Sequence, residues 1–196
     1  MEDDTDMACP KIYLAGPEVF LPDAVTVLAE KAVLARQHGF DPLTPFDKEV
    51  EEMSDRHAMG MAIWRNNRAL MEACDLMIAN VTPFRGVSAD VGTAFEMGYM
   101  AGRGARVSAY SNMAQDHFAR LCAHYRKADW DKAGNWRGPD GMAMESFGMF
   151  DNLMLEGIVR DSEGVFTCRD ILDPARVFRD LEAFDECLMR LRLLVN

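Results

Sequence analysis

Two acids stand six positions apart in Asp90-Val-Gly-Thr-Ala-Phe-Glu-Met-Gly98. Each has an ordinary reading. Asp90 can cap the start of a helix, with Thr93 in the first turn. A glutamate early in a helix is stabilised by the backbone dipole by roughly 0.3–1 kcal/mol. The neighbours of Glu96 make that reading insufficient: Ala94, Phe95, Met97, Tyr99 and Met100 are apolar or nearly so, and Gly92, Gly98 and Gly102 are small. A carboxylate set in such a closely packing helix has a chemical use. Cleavage of a glycosidic bond passes through an oxocarbenium-like sugar, which a carboxylate beneath the anomeric carbon stabilises and then traps as an ester. The helix start is expected to help keep Glu96 ionised.

Other residues fit or limit this chemistry. Tyr13, on the first apolar run, offers a phenol that can hydrogen-bond a carboxylate, although alone it reads as a half-buried strand aromatic. Asn152, ahead of Leu153-Met-Leu155, alone reads as a turn or strand-edge residue. The loop Gly16-Pro-Glu-Val-Phe20 is not G-x-G-x-x-G, and no Walker lysine follows it, which disfavours a dinucleotide or triphosphate site. The five cysteines form no C-x-x-C pair and read as reduced thiols. The four histidines lack i, i+4 spacing beside an acid. Neither a metal nor any other cofactor is expected.

The elements that would position these groups alternate. Lys11–Ala15 reads as a strand ending at Gly16-Pro17, and Asp23–His38 as a helix with Leu28, Ala32 and Ala35 on one face. Phe40–Pro45 is a brief extended piece. Asp55–Ala73 is helical, with Ile63, Leu70 and Met71 inward. Asp75–Val81 is an apolar run suited to a central strand buried on both faces. The loop Thr82–Ser88 leads to a helix from about Asp90 to Gly102, and Arg106–Tyr110 is a weaker strand. Asn112–Lys127 is expected to be helical, and Ala128–Met149 a long loop. Gly157–Arg160 and Gly164–Thr167 are expected to be extended, and Pro174–Val195 to be an amphipathic helix with Val177, Phe178, Leu181, Phe184, Leu188 and Leu191 on its apolar side. Alternating strands and helices imply an α/β sandwich with a central parallel sheet, in which ligands bind beyond the carboxyl ends of the strands. The ends of the first and the central strand therefore locate the chemistry.

A net charge of −11 in 196 residues argues against a nucleic-acid backbone or an anionic membrane as partner, since both need clustered cations. No apolar run is long enough to span a bilayer. The acidic start, Met1-Glu-Asp-Asp-Thr-Asp6, has the wrong sign for a signal peptide. Residues 1–10 are expected to be a disordered tail, 11–196 a single domain, and the location cytoplasmic.

Taken together, Lys11-Ile-Tyr-Leu-Ala-Gly-Pro-Glu-Val-Phe20, Cys74–Gly86, Asp90–Gly98 and Phe147–Leu155 resemble the nucleoside 2-deoxyribosyltransferase family, most closely its members with a Pro-Phe-Arg-Gly loop. The resemblance implies a flavodoxin-like three-layer sandwich and transfer of 2-deoxyribose between the bases of 2′-deoxyribonucleosides, with slow hydrolysis as a side reaction. It places the nucleophile on Glu96, the sugar-binding aspartate on Asp90, and the orienting phenol on Tyr13. Gly16, Pro17 and Phe20 fall on the loop flanking the base, with Phe84, Arg85 and Gly92 as further substrate contacts. Asn67 falls where some members carry an aspartate that handles the base proton and others an asparagine. That proton would then come from Asp75, water or the base's own tautomers. Asn152 and Met154 match a segment that completes a neighbouring subunit's site, implying a homo-oligomer acting on deoxyribonucleosides and free nucleobases. The stretch around Ala128–Met142, with Trp130 and Trp136, is longer than is usual there. Two other functions stay open: N-glycoside hydrolysis of deoxyribonucleoside 5′-monophosphates, which the Asp90 charge opposes, and non-catalytic binding of nucleosides.

Overall fold

Residues 9–48 and 50–195 are described by the computed structural model. In chain order the elements are β1 (Lys11–Ala15), a 3-10 turn (Pro17–Phe20), α1 (Ala24–Gln37), β2 (Asp41–Leu43), α2 (Arg56–Glu72), β3 (Leu76–Asn80), α3 (Val91–Gly102), β4 (Arg106–Ser111), α4 (His117–Tyr125), β5 (Asp129–Trp130), β6 (Trp136–Arg137), α5 (Leu153–Asp161), β7 (Phe166–Cys168) and α6 (Glu182–Leu194). The main sheet has the order β2-β1-β3-β4-β7, and all its pairings are parallel. This is the flavodoxin-like order. Its strand direction of progression reverses between β1 and β3, and ligands bind at that switch point.

Burial follows the pleat. Every residue of β3 is buried, as expected of a strand covered on both faces. In β1, Ile12 and Leu14 point to one layer, where Ala35 of α1 and Phe184, Cys187, Leu188 and Leu191 of α6 pack. Tyr13 and Ala15 point to the other, where Met71 of α2, Met97 and Met100 of α3, and Leu155 and Val159 of α5 pack. The result is an α/β three-layer sandwich. Because side chains alternate along a strand, Tyr13 lies on the face covered by α3, the helix that carries Glu96.

Several expectations are corrected. The C-terminal helix starts at Glu182, not Pro174, so Val177 and Phe178 lie in the preceding turn. The chain is bent there because Asn112 Nδ2 captures the carbonyls of Val177 and Asp180, while the Asp180 carboxylate accepts from the Glu182 amide. Gly157–Arg160 is helical, within α5: Asn152 caps the helix by accepting from the Met154 amide, and Leu155 and Val159, one turn apart, fill the core. The fourth helix is shorter than expected because Asp116 caps it, accepting from the Ala119 amide. Ala128–Met149 is not all loop. It contains the β5–β6 hairpin, whose turn is held by Asp131 accepting from the Ala133 and Asn135 amides and from Arg137 Nε. Ile63 is 41% exposed in the single chain rather than turned into the core. Residues 1–8 of the expected tail lie outside the described residues. Pro10 lies just ahead of β1, its carbonyl accepting from the Asp41 amide. Among the described residues, no helix is long and apolar enough to cross a membrane.

Candidate active site

The loops after β1 and β3 open onto a cleft of about 540 Å³, walled by Gly16, Val19 and Phe20 from the first loop, Ile63, Asn66 and Asn67 from α2, and Asp90, Gly92, Thr93 and Glu96 from the start of α3. Its volume falls within the roughly 300–1,000 Å³ usual for small-molecule sites. Six residues singled out from sequence, Gly16, Phe20, Asn67, Asp90, Gly92 and Glu96, therefore line one cleft. Pro45, Phe46, Lys48, Val50 and Met59 also line it and were not foreseen. The first four come from the β2–α2 connection, where a proline and mixed polarity leave no periodic signal, and Met59 from the first turn of α2.

Thr93, Met97 and Met100 bury one stripe of α3, which turns Glu96 to the edge of the core and the cleft wall. Tyr13 is fully buried, and its hydroxyl donates to Glu96 Oε1 at 2.9 Å. Burial pushes the Glu96 carboxyl up to about 7, against the Tyr13 hydrogen bond, which lowers it; the nearby Asp90 charge raises it further. Desolvation thus outweighs the expected help from the helix start. The Tyr13 phenol is itself held well above its ordinary range by burial and by the Glu96 charge, so it stays a donor.

Asp90 serves its own helix as well as the cleft. Its Oδ2 accepts from the Thr93 amide at 3.0 Å, which leaves Oδ1 for a ligand. A Cβ at Gly92 would stand 3.0 Å from that Oδ2, so glycine keeps the carboxylate clear. Gly16 has a stricter reason to be glycine. Its φ is +157°, and a Cβ would sit 2.0 Å from Glu18 Oε2 and 2.8 Å from Asn80 Cβ.

Glu18, within the first motif but with no role foreseen, is fully buried beneath this loop. Its Oε1 accepts from Lys31 Nζ at 2.7 Å, Tyr110 Oη at 2.7 Å and Asn80 Nδ2 at 3.1 Å. Asn80 also accepts from the Thr82 amide, so one carboxylate ties α1, β3 and β4 to the turn that presents Phe20. Lys31 gave the available signal: it lies on the same face of α1 as Leu28, Ala32 and Ala35, and it is buried with them.

The remaining expected residues stand apart from the cleft in the single chain. Pro17 is buried in the 3-10 turn. Phe84 stacks on Phe20 with centroids 5.1 Å apart, and the Arg85 guanidinium lies 5.0 Å and 4.7 Å from the Phe20 and Phe84 ring centres. Both therefore brace Phe20 from behind. Arg85 does so from a positive φ of 53°, uncommon for a residue with a side chain. Asn152 caps α5, and Met154, 65% exposed, lines a different groove. Asp75 lines that same groove at the start of β3, the opposite end of the strand from the cleft, and so cannot supply a base proton there.

Comparison with known proteins bears on the family and the fold. The sequence model of the family described as nucleoside 2-deoxyribosyltransferase matches residues 12–154. An uncharacterized protein of Schizosaccharomyces pombe is 33% identical over 168 residues, 79% of each chain. Among solved structures, a 2-desoxiribosyltransferase from Leishmania mexicana is 28% identical with a TM-score of 0.61, covering 91% of this chain and 97% of that one. A conserved protein from Enterococcus faecalis V583, 20% identical with a TM-score of 0.58 over 94% of this chain and 99% of that one, shares the fold.

Proposed function

The chain belongs to the nucleoside 2-deoxyribosyltransferase family, and from that premise we propose that it exchanges the bases of 2′-deoxyribonucleosides by double displacement on Glu96. The observation that carries this reading is the buried contact between the Tyr13 hydroxyl and Glu96, 2.9 Å long, on the wall of a cleft at the switch point of the sheet. In the first step a Glu96 oxygen attacks C1′ of the sugar and the N-glycosidic bond breaks. Its electron pair leaves with the base, which takes a proton from water. In the second, a nitrogen of an incoming base attacks C1′, expels the Glu96 carboxylate and gives up its own proton. Two inversions give retention. Water takes the place of the acceptor slowly.

Asp90 Oδ1 holds the sugar hydroxyls. Phe20, braced by Phe84 and Arg85, covers one face of the base, and the Asn67 amide meets its edge. Lys48, Asp90 and Glu96 are the ionisable groups among the described residues of the wall, so a single cation faces two carboxylates. That balance favours a neutral nucleoside over a 5′-monophosphate. Asn152 and Met154 are read as reaching a second copy of the chain. In support, Val91, Phe95, Leu153 and Met154 are exposed apolar side chains at the starts of α3 and α5.

The test is incubation with deoxyinosine or thymidine and a panel of free bases. New deoxynucleosides are expected in the chromatogram, with a deoxyribosyl ester on the peptide containing Glu96 when no acceptor is added. Turnover of deoxyadenosine 5′-monophosphate in preference to deoxyadenosine, or saturable binding without base release, would overturn the reading.

A further inference from the structure

Behind the sugar side of the cleft lies a second buried ion pair. Arg120, on α4, is 5% exposed, and Asp151, just ahead of α5, is 1% exposed. The guanidinium spreads over three segments. Its Nε donates to the Val87 carbonyl at 2.7 Å, Nη1 to the Gln115 carbonyl, and Nη2 to the Phe150 carbonyl at 2.8 Å and to Asp151 Oδ2 at 3.1 Å. The same Asp151 Oδ2 accepts from the Ala89 amide at 2.9 Å. The Val87 carbonyl and the Ala89 N–H are therefore both fixed by buried charge, immediately before Asp90. His117 Nδ1 stands 3.8 Å from the other Asp151 oxygen, which accepts from the Asn152 amide.

We propose that the Arg120–Asp151 pair is a positioning clamp for Asp90, setting the angle at which that carboxylate meets the sugar. This rests on reading Asp90 as the sugar-binding residue. The helix proper is already anchored in the core by Thr93, Met97 and Met100. Ahead of it, Ala89 packs against the core only in part, and Val87 and Ser88 lie outside the helix. Within the helix, the Asp90 side chain is held by Thr93, while the chain leading into Asp90 is held by the clamp. A planar five-donor fork suits this task, since it binds several carbonyls in fixed directions where an ammonium would act as a point charge. The clamp touches neither Phe20 nor α2, so it bears on the sugar and not on the base.

The test separates sugar from base. In a Glu96→Gln background, which leaves the nucleoside intact, dissociation constants are measured for deoxyinosine and for hypoxanthine, with and without Asp151→Ala. The clamp variant is expected to weaken deoxyinosine on the order of tenfold, as for loss of a hydrogen bond to a charged group, and to leave hypoxanthine unchanged. With Glu96 present, single-turnover base release should slow on the order of a hundredfold, the usual consequence of displacing a reacting group by about 1 Å. Asp151→Asn, which keeps an oxygen for the Ala89 amide, should recover most of both losses. Equal weakening of deoxyinosine and hypoxanthine, or no change in either, would overturn the proposal. If Asp151→Ala does not fold, Arg120→Lys decides by the same two ratios. An unaltered protein that binds deoxyinosine but never releases base would refute the proposed reaction instead, while the binding ratio would still judge the clamp.

Discussion

Among the described residues two glutamates, Glu18 fully buried and Glu96 half-buried, each accept a hydrogen bond from a buried strand tyrosine: Glu18 from Tyr110 at 2.7 Å, and Glu96 from Tyr13 at 2.9 Å. They lie in opposite layers, Tyr110 packing with α6 and Tyr13 with α3. The difference is a cation. Lys31 sits 2.7 Å from Glu18, and Asn80 adds a third donor. Among the described residues Glu96 has neither, and burial pushes its carboxyl up to about 7. The same pair of side chains is thus a structural joint where its charge is neutralised and, in the proposed mechanism, a reactive group where it is left uncompensated beside a cleft. A buried carboxylate with no positive partner has free energy to release when it shares its charge with an electrophilic carbon.

The sharpest break of this comparison is exchange of the two acids' fates. Glu96→Gln is expected to abolish base exchange, a loss of several orders of magnitude in a chromatographic assay, while the variant folds at least as stably as the unaltered chain at pH 8. Glu18→Ala should do the reverse. It strands the Lys31 ammonium in the core and should cost about 3–5 kcal/mol in a urea titration. Replacing the whole pair, Glu18→Leu with Lys31→Met, should recover most of that cost, because a buried ion pair is commonly no better than well-packed apolar side chains. Failure to recover would mean that the pair does more than neutralise itself.

A smaller effect is expected in the pH dependence. The folded Glu96 carboxyl titrates about 7, above its unfolded value of 4.5. Its contribution to stability is therefore fully present below pH 4.5 and is lost as pH rises through about 7. The proposed reaction needs the ionised form, so base release should rise with pH through the same upper value. Stability of the unaltered chain relative to Glu96→Gln should fall across that window; a flat difference would remove the buried, uncompensated charge from the account. Tyr13→Phe removes the donor that lowers this group. The acid limb of the rate profile should then move to higher pH, with a loss at pH 7 of roughly tenfold to a hundredfold. Tyr110→Phe should be the mildest, costing about 1–2 kcal/mol of stability and leaving the pH profile unmoved.

How much of this was legible beforehand follows from the range of the interactions. β1, β3 and the helix start at Asp90 rest on local pattern, whereas the pairing of Tyr13 with Glu96 was implied by the resemblance that the four motifs in order carry. The β5–β6 hairpin has two residues per strand, too few for any period to register. The break before α6 depends on Asn112, far away in sequence, capturing two carbonyls. The Arg120–Asp151 joint was missed for the same reason, its partners being 31 residues apart, and the Glu18 joint draws its further donor Tyr110 from 92 residues away. The raised Glu96 is a balance of burial against hydrogen bonding that a helix position alone does not set.

The three tryptophans of the chain, Trp64, Trp130 and Trp136, carry a practical consequence. Trp64 is 42% exposed on α2 and Trp130 is 61% exposed on the hairpin, where it meets Trp136 edge-on at 5.1 Å. None belongs to the main sheet or to either core cluster. Intrinsic fluorescence therefore reports the rim of the molecule. A fluorescence transition at lower temperature than the loss of circular dichroism would mark the hairpin letting go, not a partly folded sheet.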